Sequence, residues 1–129
     1  MNWKNLIFHG SLSSLLSSVS CIIYNTIYKQ AFYIDFSSVL GIPNMIAAST
    51  LACFLMAFVY QFAMKWNNAK FELGLNLVFA VLSFASIVGV FGFNLPLELE
   101  SPEMFPGLAI PMHFFPIISV ISTLPIFKN

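Results

Sequence analysis

The chain has 129 residues, of which 59% are hydrophobic and only 8% charged, and its five lysines and five acidic residues cancel to zero net charge. Soluble domains carry about 25% charged residues, so a water-soluble globule is excluded. With no net charge and no arginine, nothing argues for a nucleic-acid partner or for a guanidinium clamp on phosphate.

The ten charges leave four uncharged stretches: Asn5–Tyr28, Phe36–Met64, Leu73–Leu97 and Met104–Phe127. Each exceeds the roughly 20 helical residues that a hydrocarbon core demands. The expected fold is therefore all-α: one integral membrane four-helix bundle over residues 1–129, with spans near 5–28, 43–64, 72–94 and 105–127. No internal repeat, low-complexity tract or second domain interrupts it. Lys4, Lys65, Lys70 and Lys128 flank the spans on one side and Lys29 alone on the other. The positive-inside rule then places both termini in the cytoplasm. Lys4 followed by an apolar run resembles a signal peptide, but Ile22-Ile23-Tyr24 continues apolar past the weak Ser18–Cys21 cleavage box. An uncleaved first helix is expected.

Span one carries a seam of small and polar residues, Ser11, Ser14, Ser18 and Cys21, extended by Asn25 and Tyr28. Spacings of three and four put them on one helical face. Such faces pack helices closely in lipid; the sharper reading makes Asn25 a ligand contact in a wet groove. His9, at the start of the same span, reads as a side chain facing the headgroups. Between spans one and two lie Asp35, Gly41 and Pro43, the last suited to the first turn of a helix. Span two offers Ser49, Cys53 and Ala57 beside Ala48 and Ala52, and span three offers Asn76, Ala80 and Ser83. All read as packing surfaces. Gln61 and Asn76 are expected to reach water or headgroups. The link Lys65–Lys70 is a tight turn that makes spans two and three antiparallel neighbours.

Span four is interrupted by Pro106, Pro111, Pro116 and Pro125, and His113 sits between two of them. Interior prolines remove backbone hydrogen bonds and bend helices, so a kinked fourth helix is expected. His113 falls roughly 12–15 Å inside the helix end at 1.5 Å per residue. An ionisable residue at that depth is a functional candidate by default, and a neutral structural histidine is its rival. Glu98, Glu100 and Glu103 crowd the preceding link; Glu103, beside Pro102, is the one placed to cap span four or to meet the imidazole. The ligand or proton-binding candidates are thus His113, Asn25 and Glu103.

No phosphate loop, HExxH, GxSxG or CxxC motif is present. Cys21 and Cys53 lie in apolar stretches, where buried thiols serve mainly as small packing residues. No metal, cofactor or catalytic set is indicated. His113 as a lone general base is a thin constellation, so an enzyme ranks last. The serine-lined span ending in Asn25, the alanine-rich second span, the lysine-flanked turn, Phe71 leading to Leu82-Ser83, and Met112-His113 together resemble a family of small bacterial four-span membrane proteins of unknown function. That resemblance implies a four-helix membrane fold, in a bacterial inner membrane, and no assigned activity. Two functions stay open. One is a non-enzymatic binding or accessory subunit packing against lipid or a protein partner, in a homo-oligomer or larger complex. The other is a small transporter or channel-like oligomer using His113 in an outward-facing polar pocket between spans one and four.

Overall fold

The computed structural model describes residues 2–128 except Phe93 and Leu97, which belong to the third uncharged stretch. Its α-helices are α1 (Trp3–Phe32), α2 (Ile42–Ala63), α3 (Ala69–Gly92), α4 (Phe105–Met112) and α5 (Phe115–Thr123). Short 3₁₀ turns cover Met64–Trp66, Pro102–Met104 and Leu124–Phe127, and no strand occurs among the described residues. Four helical stretches are long and apolar enough to cross a membrane, α4 and α5 forming the last of them.

Local chemistry explains the boundaries. Asn2 caps α1 by accepting from the Lys4 and Asn5 amides at 3.1 and 3.4 Å. The helix then runs 30 residues, about 45 Å, to a left-handed Tyr33 whose amide closes on the Lys29 carbonyl. Pro43 occupies the first turn of α2, where its missing N–H leaves no bond unmade. Asn67 takes the left-handed conformation that ends the second span, and Asn68 accepts from the Lys70 amide at 3.0 Å to start α3. Asparagine tolerates that conformation and caps well, so two adjacent asparagines make the whole turn.

The polarity of α1 is reversed relative to a helix of a soluble bundle. The buried face of α1 is Leu6, His9, Gly10, Ser13, Ser14, Ser17, Ser18, Cys21 and Tyr28, while Ile7, Phe8, Leu15, Val19, Ile23 and Ile27 are exposed. Between helices in lipid the gain comes from close packing of small residues rather than from hiding apolar ones. Ser14, Ser18 and Cys21 of the expected seam are therefore buried, but Ser11 is exposed, and the face is rotated to centre on His9, Ser13 and Ser17. These recur every four residues down to Cys21, the interval that keeps one helix face against its neighbours.

α1 makes the broadest contacts, with α2 and α5. One apolar cluster, including Cys21, Phe36, Met45, Phe105 and Leu108, fills the end of the bundle near the α1–α2 link. A second, including Cys53, Tyr60, Ile117, Val120 and Leu124, fills the rest. α3 stands apart. It touches the second cluster through Leu75, Phe79 and Ala80, and Val90 is its one buried residue. The tight 65–70 turn does bring α2 and α3 together, with the Tyr60 hydroxyl donating to the Asn76 side chain. Their contact is slight all the same.

Charges gather at the two ends. Lys128 pairs with Glu72, and at the other end Lys29 pairs with Asp35 at 2.6 Å. Asp35 also accepts from the Ser37 amide at 2.9 Å and from the Ser37 hydroxyl, holding the 33–41 link. The lysine beside it and the Ser37 donors hold the Asp35 carboxyl down at about 2. A folded-state value below the unfolded one contributes stability above the ordinary carboxylate range, lost as pH falls through the lower value. Amide protection across residues 33–41, taken relative to the intrinsic exchange rate at each pH, is therefore expected to persist at pH 4 and to fall only as pH falls toward 2. Asp35→Asn should show low protection at both. A link whose protection is already gone at pH 4 in the parent chain would refute the pairing.

Candidate functional site

The four prolines of the fourth span do different things. Pro106 and Pro116 stand in the first turns of α4 and α5, and Pro125 in the final 3₁₀ turn. Only Pro111 lies inside a helix. It leaves the Gly107 carbonyl without its helical donor, and the Tyr24 hydroxyl donates to that carbonyl at 2.7 Å. Tyr28 donates to the neighbouring Met104 carbonyl at 2.5 Å. Glycine at 107 admits this approach, since a Cβ there would sit 2.9 Å from the Tyr28 oxygen. The C-terminal part of α1 is thereby bound directly to the start of the fourth span.

At His113 and Phe114 the α-helical ladder breaks. The His113 and Phe114 amides bond three residues back, to Ile110 and Pro111, at 3.2 and 3.1 Å. The Ala109 carbonyl, deprived of its usual donor, receives the His113 ring instead, at 2.7 Å from Nδ1. A carbonyl only accepts, so Nδ1 carries a proton; in the neutral ring Nε2 then keeps its lone pair. His113 thus repairs its own helix break, rather than bonding a hydroxyl on α1, and its second nitrogen has no partner among the described residues.

His113 also lines a groove of about 680 Å³. Ala48, Ala52 and Met56 of α2, Phe79 and Ser83 of α3, and Met112 of α4 form its walls. It exists because α2 presents alanines where α3 stands off. Of the surfaces expected to pack, Cys53 and Ala57 do so, Ser49 is buried yet borders the groove, and Ala48, Ala52 and Ser83 face it. Neither Asn25 nor Glu103 is among its lining. Asn25 is half-buried and makes no hydrogen bond among the described residues. Glu103 is exposed, and no side chain caps the 3₁₀ turn that opens the fourth span. Its expected capping bond is not made, and among the described residues no ion pair joins Glu98, Glu100 or Glu103 to His113. The three candidates therefore do not converge, and only His113 reaches a cavity.

A second polar centre was not legible from the sequence. His9 is fully buried rather than facing headgroups; its Nε2 lies 3.1 Å from the Val120 carbonyl and its ring stacks on Phe127 at 5.0 Å. One turn on, Ser13 and Thr123 are 2.7 Å apart. Thr123 donates to the Ser119 carbonyl at 2.9 Å, so the shared proton comes from Ser13. Ser17 is buried next, without a hydrogen bond, and Cys21 meets the Ser49 hydroxyl at 3.6 Å. Gln61, expected to reach water, is buried with its amide nitrogen unpaired. The signal available in sequence was the four-residue interval from His9 through Ser13 and Ser17 to Cys21. This centre ties α1 to α5 and α2. It presents a histidine and hydroxyls but no nucleophile–base pair and no carboxylate. Comparison with protein-family profiles, curated proteins and solved structures gave no match for this chain.

Proposed function

We propose that this chain is a small non-enzymatic membrane subunit that works by holding a lipid or a protein partner against α2 and α3. The observation that carries the reading is the position of α3: a 24-residue apolar helix with one buried residue, standing beside a groove of about 680 Å³. An unfilled groove in a bilayer forfeits dispersion contacts along its walls, so a lipid tail or a neighbouring side chain belongs there. Leu73, Leu77, Val81, Phe84 and Val88 are exposed on the other side of α3 from its groove-lining Phe79, Ser83 and Ser86, so that helix leaves a second apolar surface open. On the lysine distribution both termini face the cytoplasm. The break at His113 would bend the fourth span, and the family resemblance points to a bacterial inner membrane.

Transport through His113 is the second reading, favoured by the uncommitted Nε2 beside the groove. Against it, Nδ1 is engaged with Ala109, and no carboxylate pairs with the ring among the described residues. A proton relay needs a second titrating group within reach.

Native mass spectrometry after mild extraction tests the subunit reading. The expected spectrum shows the chain with a retained lipid, a second copy or a foreign chain. A bare monomer under conditions that preserve known lipid adducts of other membrane proteins would overturn it.

A further inference from the structure

We propose that the groove between α2, α3 and α4 binds an uncharged, lipid-soluble molecule with a slim apolar body and a single hydroxyl, and that this hydroxyl donates to Nε2 of His113. The inference rests on the binding reading above and gives it a ligand class.

Size is the first argument. Small-molecule sites span roughly 300–1,000 Å³ and are mostly apolar with a few placed polar groups; this one measures about 680 Å³. Charge is the second. No Asp, Glu, Lys or Arg lines the groove, so a phosphate or carboxylate would enter without a counter-charge, which a low-dielectric site penalises heavily.

Hydrogen bonding is the third. The Ser86 hydroxyl, on the α3 wall, already donates to the Ser83 carbonyl at 2.7 Å. The Ser49 hydroxyl is engaged with Cys21. The Asn44 amide and the Ser83 hydroxyl also line the groove without a side-chain bond of their own among the described residues, but each can donate as well as accept. His113 differs: its Nδ1–H is spent on Ala109, and in the neutral ring Nε2 is left as an acceptor only. Within hydrocarbon, water does not serve such an atom. A ligand hydroxyl is the complement, because it brings a donor and no charge. An ether of the same shape brings the body without the donor.

The full-length protein in phosphatidylcholine nanodiscs is exposed to a photoactivatable diazirine analogue of farnesol, and separately to the methyl ether of that probe. The alcohol is expected to label residues around Ala52, Phe79 and Met112. The ether should label them about five- to tenfold less, the worth of one hydrogen bond. His113→Leu should reduce the alcohol to the level of the ether and leave the ether unchanged. Ala52→Trp, which fills the groove while sparing His113, should abolish labelling by both. Equal labelling by alcohol and ether, or groove labelling that survives Ala52→Trp, overturns the proposal. Native mass spectra of the same preparation separate the two failures. An unlabelled groove in a chain carrying a partner ends the ligand assignment alone, whereas an unlabelled, unaccompanied monomer ends both readings.

Discussion

Gly10→Ala is expected to destabilise the bundle, although the same change inside an isolated helix stabilises it by about 1 kcal/mol. The sign reverses because α1 and α2 meet at this residue: a Cβ on Gly10 would lie 2.6 Å from two ring carbons of Phe54. The ring must rotate or the helices must part, and overpacking of this kind costs about 1–3 kcal/mol. Gly10→Leu cannot be absorbed by a ring rotation and should cost more than Gly10→Ala. Phe54→Ala opens the space, so Gly10→Ala should cost less in that background, a coupling that a double-mutant cycle measures. Unfolding in mixed micelles at rising sodium dodecyl sulfate reads the parent and all four variants. A stabilised Gly10→Ala, or strict additivity with Phe54→Ala, would show that α1 and α2 do not approach this closely.

His9→Ala should cost about 2–4 kcal/mol, the range for truncating a large buried side chain. His9 is fully buried, bonded to the Val120 carbonyl and stacked on Phe127, so the change opens a cavity where α1 meets α5. The hydrogen bond is the smaller part, since side-chain bonds between membrane helices average about 0.6 kcal/mol. His9→Phe separates the two contributions. It keeps the stacking, loses the Val120 bond and removes the buried Nδ1 that has no partner. It should therefore lie much closer to the parent than to His9→Ala in the same unfolding assay. A cost below about 0.5 kcal/mol for His9→Ala, typical of exposed positions, would return the histidine to the membrane surface.

The two histidines show where sequence reasoning stops. His113 attracts notice because prolines bracket it and because its depth is unusual. Its groove and its Ala109 partner depend on how α3 stands relative to α2 and on which amide bonds fail at the break. His9 lies near the end of a span, where an amphipathic side chain normally faces headgroups. It is buried because Pro125 and Phe127, more than a hundred residues on, bring the chain's last turn against it. Ser11 and Ser13 are equally polar in the sequence, and only the direction in which α5 approaches α1 decides that Ser13 is inside. Asn25 and Glu103 shared a plausible site with His113 along the chain, but Tyr24 and Tyr28 bind the start of the fourth span directly at that level.

Residue order alone determined that four apolar stretches form helices of membrane-spanning length, with a tight turn at Lys65–Lys70 and a helix start at Pro43. Helix formation in lipid is a local matter, because every backbone group must find its partner within its own segment. The caps, the prolines and the absence of charge are all read within a few residues. Tertiary structure decided which faces meet, that α3 stands aside, and that His9 rather than Ser11 lies in the interior. Those outcomes turn on the fit of small residues across helices, such as Gly10 against Phe54 and Gly107 against Tyr28. Where lipid is as apolar as leucine, hydrophobicity does not choose between one face of a helix and another.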